Sequence, residues 1–228
     1  MEINLEKLIC ITQAAALGDA CFDYILGEIR LGISELQIAR KIDEYLLSHG
    51  GTSLAFPTIC VAGENGCQPH GVPSDYRIAK GDLVTIDFGA VVGGYCGDMT
   101  RTVAVGRPYA ELRELYYTVL DAQLAAIDVL AAGVSCQSVD TAAREIIEAA
   151  GFGEYYIHGT GHGVGKEVHE APTLNAKSEE TLQVGMAVTV EPGIYIPGKG
   201  GVRIEDLFVI TETGIINLVK SDKSLIIL

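Results

Sequence analysis

Four acidic residues in two similar segments are the residues of this sequence best suited to chemistry. Asp87 lies in the segment GDLVTIDFG and Glu191 in GMAVTVEPG, which share a glycine at each end and the same alternation of apolar side chains. Asp98 and Glu205 each follow in the next β-like run. Either Asp87 or Asp98 alone would be read as a strand-end turn residue, but the second copy favours a common site. Converging carboxylates cost on the order of several kcal/mol unless one is protonated or a cation lies between them.

The first of these segments has the pattern of a β-hairpin. Residues 84–88 and 100–105 form two apolar, β-branched runs, and residues 89–97 between them contain four glycines. Because strand side chains alternate between two faces, Asp87 is predicted to lie on the face opposite to its apolar neighbours. Antiparallel pairing of the two runs is expected to place Asp98 opposite Asp87.

Histidines cluster in the segment IHGTGHGVGKEVHEAP, which contains His158, His162 and His169, and His70 lies in GCQPHGVPSD. A lone histidine is more often structural, but three within twelve residues among glycines favour a ligand. Imidazole is the usual nitrogen ligand of first-row metals. Four carboxylates and one histidine describe a site for two divalent cations of the Mn, Co, Fe or Zn kind. Two ions bridged by carboxylates, about 3.5 to 4 Å apart, acidify a water held between them, so the predicted chemistry is hydrolysis.

The same glycine-rich segment does not fit a phosphate-binding loop. A Walker A motif requires glycine where Thr160 stands, and Ser or Thr where Glu167 follows Lys166. The dinucleotide motif GxGxxG also fails in every register of this segment, so no phosphate-bearing cofactor is predicted.

Helical patterns must position these residues. A helix is predicted over residues 4–30, with Gly18 as a point of interruption, and a second helix runs from the N-cap Ser34 to Gly50. The apolar spacing of the first helix predicts a buried face made of Leu5, Leu8, Ile9, Thr12, Ala16, Cys21, Tyr24 and Ile25.

An internal repeat organises the chain. LGISELQIARKIDEYLLSHG at 31–50 and AGVSCQSVDTAAREIIEAAG at 132–151 share a glycine, a serine cap and a terminal glycine. We therefore expect residues 1–228 to form one α+β domain of two halves, about 1–107 and 108–228, around one shared core. Helices are expected on one face of an antiparallel sheet, with the acids on the concave side. The second half begins with a predicted helix over 109–131.

Composition excludes several classes of function. The net charge is −14 with only 16 Lys and Arg, which disfavours nucleic acid as a partner. The N-terminus lacks a basic leader, and no apolar run reaches the roughly 20 residues that a bilayer requires, so we expect a cytoplasmic protein without a membrane segment. Reduced thiols are expected for the six cysteines, which have no CxxC spacing: Cys10, Cys21, Cys60, Cys67, Cys96 and Cys136.

These motifs resemble the metallopeptidase family with the "pita-bread" fold, which includes methionine aminopeptidases, aminopeptidase P and Xaa-Pro dipeptidase (prolidase). The resemblance runs from about residue 5 to residue 225. It implies a curved antiparallel sheet with helices on its outer face and an internal pseudo-twofold axis. It further implies that Asp87 ligates one ion, that His162 and Glu191 ligate the second, and that Asp98 and Glu205 bridge both.

The resemblance also implies catalytic roles. Glu191 would relay a proton to the leaving amine. His70 and His169 match the histidines that steady the scissile carbonyl, and His158 matches another nearby. The substrate would be a peptide that loses its N-terminal residue.

Three stretches, PHGVPSD, HGTGHGVGKEVHEAP and EPGIYIPGKGGVRIED, are similar to the proline-cleaving branch of the family. Two departures weaken that assignment, since the N-terminal domain usual in that branch is not seen and Thr173 stands where dipeptidases carry an arginine. A methionine aminopeptidase and a catalytically silent binding module of the same fold are the alternatives. The apolar residues 224–228 are expected to finish a strand or to meet a second subunit in a homodimer.

Overall fold

The fold, described by a computed structural model over residues 4–228, is built from helices that begin where the sequence supplies a cap. Ser34 and Gln37 form a reciprocal capping box, and the side chain of Ser135 accepts from Ser138 N. The helices are α1 (Leu5–Leu26), α2 (Glu35–Ser48), α3 (Ala110–Asp128) and α4 (Cys136–Ala149). Two short 3-10 helices span Gly63–Cys67 and Gly153–Tyr155.

Thirteen short strands, all within the described range, form antiparallel sheets. The first half contains β1 (Ser53–Leu54), β2 (Ile59–Ala62), β3 (Leu83–Phe88), β4 (Ala90–Val92), β5 (Tyr95–Cys96) and β6 (Met99–Ala104). The second half contains β7 (Gly161–Gly163), β8 (Glu170–Leu174), β9 (Ala187–Val190), β10 (Gly193–Ile196), β11 (Gly200–Arg203), β12 (Asp206–Ile210) and β13 (Ile215–Asn217). The strand orders are β2-β3-β6, β1-β4-β5, β10-β11 and β13-β12-β9-β7-β8.

The hairpin predicted around Asp87 is confirmed, but its register is not the expected one. β3 pairs with β6 so that Asp87 lies opposite Thr100, and Asp98 precedes β6 instead of facing Asp87. The glycine-rich segment is not a simple turn, because it forms the small hairpin β4-β5. A Cβ on Gly89 would lie 1.9 Å from the carbonyl oxygen of Gly97. Only glycine permits this crossing, which shifts Asp98 past its expected partner.

The second half repeats the arrangement. β9 pairs with β12, with Val190 opposite Asp206, and the hairpin β10-β11 is inserted between them as β4-β5 is inserted in the first half. The two arrangements join directly, since Glu205 N donates to Thr100 O at 3.1 Å and Thr102 Oγ1 donates to Arg203 O at 2.9 Å. The acids of both halves therefore lie at one junction.

The core differs from the single cluster expected. Buried apolar side chains form two clusters, each completed by strands of the other half. Val164 and Leu207 of the second half join the cluster under α1 and α2, and Leu83 and Ala104 of the first half join the cluster under α3 and α4. Each half contributes residues to the cluster of the other half because β6 and β12 meet at the junction, and each of these strands presents one face to each cluster.

Helix α1 is continuous through Gly18, but five of the eight residues predicted to form its buried face are exposed: Leu5, Ile9, Thr12, Ala16 and Tyr24. Leu5 and Ile9 are 69% and 55% exposed, whereas Ile11 and Phe22 are buried. The helix surface is apolar almost all round, so spacing alone did not fix its orientation. By length and composition α1 is also apolar enough to span a membrane, but a core helix passes the same test, and 44% of its most apolar 18-residue window is buried.

The C-terminal residues 224–228, which were expected to finish a strand or to meet a second subunit, lie beside the end of β6 but form no strand of their own. Ala104 N donates to Ile226 O at 2.9 Å and Gly106 N donates to Leu228 O at 2.7 Å. An isolated parallel bridge joins Ala104 and Ile227. All six cysteines are free thiols, as expected.

A buried ion pair also ties the halves together. Arg101 is 1% exposed and donates to Asp206 Oδ1 at 2.7 Å, to Ser221 O at 2.9 Å and to Asp222 O at 3.1 Å. Asp206 is fully buried and also accepts from Lys223 Nζ at 2.8 Å. One guanidinium thus fixes β6 against β12 and the C-terminal segment.

Replacing Arg101 with methionine should lower the free energy of unfolding by about 3 kcal/mol, because the buried carboxylate of Asp206 loses its main partner. Urea denaturation measures the change. The double variant Arg101→Met, Asp206→Leu should recover most of the loss. Lys199→Met, which removes an exposed ion pair with Glu111, is the control and should leave the midpoint unchanged. Full stability of the single Arg101 variant would contradict the assignment.

Candidate metal centre

The structure brings all eight predicted site residues to one cavity of about 750 Å³. Asp87 lies within β3 and Asp98 just before β6, while Glu191 follows β9 and Glu205 precedes β12. These positions are the inner ends of the two hairpins. The cavity wall also carries the four histidines of the prediction, His70, His158, His162 and His169.

Three of these residues are close enough to share a cation. One ligand atom each from Asp98, His162 and Glu205 lie within 4.8 Å of one another. The Nε2 atom of His162 lies 3.0 Å from Glu191 Oε1 and 3.7 Å from Asp98 Oδ2. Asp87 lines the same cavity. This set of oxygen and nitrogen donors is the kind that Mn, Co, Fe and Zn accept.

Orphaned carboxylate oxygens support the fit of a metal. Asp87 Oδ1 and Glu205 Oε1 are buried and have no hydrogen-bond partner within residues 4–228. The second oxygen of each acid is occupied, since Asp87 Oδ2 accepts from Arg203 at 2.6 Å and Glu205 Oε2 accepts from Thr100 Oγ1 at 2.6 Å. Buried acceptors without a donor are costly, and a cation satisfies them.

The raised pKa values of three of the acids also indicate that the cavity favours a bound cation. Burial raises the pKa of Asp98 well above its ordinary value, and the charge of Asp87 adds to the effect. Burial likewise raises the pKa of Glu205, with Asp98 contributing repulsion. Burial also raises the pKa of Asp87, although the charge of Arg203 opposes it. Without a cation, these carboxylates resist being ionised together.

Glu191 and His162 form the exception, because they compensate each other. Burial opposes the charge of both, but their hydrogen bond outweighs it, lowering the pKa of Glu191 to about 2 and raising the pKa of His162 to about 9. A divalent cation bound here would supply the positive charge that the proton of His162 otherwise supplies.

Arg203 and Tyr195 extend the site beyond the predicted residues. Arg203 donates to Asp87 Oδ2, to Thr100 Oγ1 at 3.1 Å and to Tyr195 Oη at 2.8 Å. Tyr195 Oη lies 2.9 Å from His158 Nε2. The sequence alone indicates for Arg203 no more than a supporting contact with nearby acids, and it assigns no role to Tyr195 or Thr100. The one available signal was the position of Thr100, which shares a strand face with the acids.

The histidines of the cavity differ in their burial and in their contacts. His158 is held by its contacts with Tyr195 Oη and, at 2.7 Å, with Gly159 O, and burial lowers its pKa. The ring centroid of His169 lies 4.3 Å from that of His162, and burial lowers the pKa of His169 too. His70 is exposed at the cavity edge. Apolar side chains complete the entrance: Phe56, Pro57, Ile59, Val72, Pro73 and Val168.

Comparison with known proteins identifies the family. The model of metallopeptidase family M24 matches residues 9–212. The chain belongs to metallopeptidase family M24. Among solved structures, this M24 chain superposes on an Xaa-Pro dipeptidase from Bacillus anthracis with a TM-score of 0.97 at 46% identity, over 99% of this chain and 64% of that one. An Escherichia coli aminopeptidase P superposes with a TM-score of 0.89 at 27% identity, over 97% of this chain and 57% of that one. The predicted pita-bread fold is thus confirmed.

Sequence relatives of the M24 chain give the same picture. It is 48% identical to an uncharacterized peptidase of Bacillus subtilis, over 98% of this chain and 63% of the relative. It is 43% identical to an Xaa-Pro dipeptidase of Pyrococcus furiosus, over 97% of this chain and 64% of that relative. The chain therefore spans a little under two thirds of these relatives.

Protein freed of metal by a chelator should lose stability as the pH rises from about 6.5 to about 9. Folding raises the pKa of His162 from 6.5 to about 9, so the folded state keeps a proton that the unfolded chain releases. The raised pKa values of Asp98 and Glu205 act in the same direction. The midpoint of thermal unfolding across this pH range measures the decline, and saturating Mn²⁺ should reduce it.

Matched variants test this assignment. His162→Gln should flatten the decline in chelated protein, because the group that holds the proton is gone. Glu167→Gln, a change of an exposed acid on the same segment, should leave the decline as in the wild type. A midpoint that is constant or rises with pH in chelated wild-type protein would refute the prediction.

Proposed function

We propose that residues 1–228 form a single catalytic domain of a dinuclear-metal exopeptidase that removes the N-terminal residue from peptides, with a preference for Xaa-Pro bonds. The observation that carries this proposal is the meeting of Asp87, Asp98, His162, Glu191 and Glu205 in one cavity, where buried carboxylate oxygens lack donors within the described residues. A catalytically silent module has no need to retain so costly a cluster.

The family resemblance implies a role in holding metal for each of these five residues, and their position in one cavity supports it. Asp87 would hold one divalent ion of Mn, Co, Zn or Fe, His162 and Glu191 the other, and Asp98 and Glu205 would bridge them. When bound, such ions acidify water and stabilise negative charge on a reacting carbonyl oxygen.

Proton transfer and carbonyl binding fall to residues of this chain. Glu191, whose Oε1 lies at hydrogen-bond distance from His162, can accept a proton from the attacking water and return it to the leaving amine. His169 and His70 line the cavity wall and are assigned to the substrate carbonyl. Arg203 and Tyr195 hold Asp87 and His158 in place through their hydrogen bonds.

Two features support specificity for proline. The cavity entrance is lined by rigid and apolar side chains, including Pro57, Pro73 and Phe56, which suit a ring without an amide proton. Of the four relatives named above, two are Xaa-Pro dipeptidases and one is an aminopeptidase P. Thr173, also on the cavity wall, is uncharged and offers no clamp for a free carboxylate, so peptides longer than two residues are expected to be accepted.

The homodimer and the cytoplasmic location stay predictions.

A peptide panel tests the reaction. Metal-free protein reconstituted in turn with Mn²⁺, Co²⁺ and Zn²⁺ should release the first residue from Ala-Pro-type peptides faster than from Met-Ala-type peptides, as measured by amine release. The reverse preference would assign a methionine aminopeptidase. No release from any peptide with any of the metals would favour the binding module.

Variants of the cavity test the assigned site. Asp98→Asn should reduce hydrolysis to the background rate, because a shared ligand is lost. His169→Ala should lower kcat by about 10²- to 10³-fold, the usual loss when one group that stabilises the transition state is removed. Glu167→Gln is the control and should keep wild-type kcat. Unchanged turnover of the Asp98 variant would rule out the assigned centre.

A further inference from the structure

Glu35 is a buried carboxylate outside the cavity that the proposed reaction does not use. It is the first residue of α2 and is fully buried. Its Oε1 accepts from Ala62 N at 2.7 Å and Asn65 Nδ2 at 3.1 Å, and its Oε2 accepts from Ser74 N at 2.9 Å and Ser74 Oγ at 2.6 Å. No cation partners it among residues 4–228. Four donors and the N-terminus of α2 stabilise its charge instead.

These donors lie at the two ends of one loop. Ala62 ends β2, and Ser74 lies twelve residues further along the chain. The backbone of α2 binds the same far end, since Leu36 N donates to Ser74 O at 3.0 Å and Glu35 N donates to Tyr76 O at 3.2 Å. A single side chain therefore closes the base of loop 63–74.

The loop closed by Glu35 carries His70 to the cavity. The ring of His70 makes no hydrogen bond within the described residues, so its position depends on the loop backbone. That backbone touches the site at two further points. Pro69 O accepts from Arg203 Nη1 at 3.2 Å, and a Cβ on Gly66 would lie 3.1 Å from Gly201 N, so the loop packs closely on β11.

We propose that Glu35 is a positioning residue, which fixes His70 over the cavity by holding both ends of loop 63–74. The proposal rests on the proposed function for its catalytic part. The anchored loop itself is a property of the fold. Because a displacement of about 1 Å can cost about 10²-fold in rate, loosening the loop base should be felt at the reacting carbonyl.

The second half uses a comparable device for its own histidines. Asp140 on α4 is fully buried, and its Oδ1 accepts from Thr160 N at 3.1 Å and from Thr160 Oγ1 at 2.9 Å. Arg144 binds both oxygens of Asp140 and donates to His158 O at 3.0 Å. In each half the second helix thus supplies a buried carboxylate that holds a histidine-bearing segment.

A double-mutant cycle separates positioning from a general structural effect. Glu35→Gln keeps the shape of the side chain, but its NH2 group replaces one of the two oxygens that accept hydrogen bonds from Ala62 and Asn65 or from Ser74. One end of the loop loses its acceptor, so kcat/KM for an Ala-Pro-type peptide should fall about 10- to 100-fold. In the His70→Ala background the same change should have little further effect, because the residue it positions is absent. An equal loss in both backgrounds would overturn the proposal.

Hydrogen exchange gives a readout that does not require activity. Glu35→Gln should speed amide exchange in residues 63–74 and leave exchange in β3 as in the wild type. Unchanged exchange in residues 63–74 would refute the anchoring of the loop by Glu35, even if the wild type hydrolyses peptides. If the wild type hydrolyses none, the proposed function fails, and exchange alone decides the anchoring.

Two further variants keep the test decisive. Should Glu35→Gln fail to fold, Ser74→Ala removes one donor only and enters the same cycle with His70→Ala, with a smaller loss expected in the same pattern. Glu44→Gln, an exposed carboxylate on the same helix, is the matched control and should leave both exchange and kcat/KM unchanged.

Discussion

Repulsion among buried carboxylates that line one cavity is the constraint on which the rest of the structure depends. Three of the four acids have a different hydrogen-bond partner in this chain: Arg203 for Asp87, a threonine hydroxyl for Glu205 and an imidazolium for Glu191. Asp98 has the least compensation, and its pKa is raised accordingly. The partners neutralise only part of the charge. The surplus is the physical basis for binding metal.

The cluster of acids is assembled from the two similar halves of the chain. Each hairpin delivers two acids at its inner end, and the halves meet edge to edge through Thr100, Thr102 and Arg203. Close glycine contacts make the approach possible, since the crossing at Gly89 and Gly97 leaves no room for a side chain. The strands set the positions of the acids, and carboxylates on α2 and α4 bind the histidine-bearing segments through Glu35 and Asp140.

The sequence predicted the parts that depend on local rules. Caps at Ser34 and Ser135, the alternation around Asp87 and the repeat between halves are visible as spacing, and the site residues follow from them. The register of β3 with β6 was not predictable, because it depends on the close backbone crossing of Gly89 and Gly97, which the spacing of residues does not reveal. The buried face of α1 was misassigned for a related reason, since apolar residues surround the helix and only its neighbours decide which are covered. Tyr195 has no spacing that distinguishes it from a core aromatic residue.

The buried guanidinium of Arg101 has a consequence for biosynthesis. Its acceptors beyond β6 are Asp206 and the carbonyl groups of Glu205, Ser221 and Asp222, which leave the ribosome more than one hundred residues after Arg101 itself. Until those residues are made, the guanidinium of Arg101 lacks the carboxylate of Asp206 with which it is buried. The buried network around Arg101, and with it the junction that gathers the acids of the cavity, can therefore form only after the chain through Asp222 has been made.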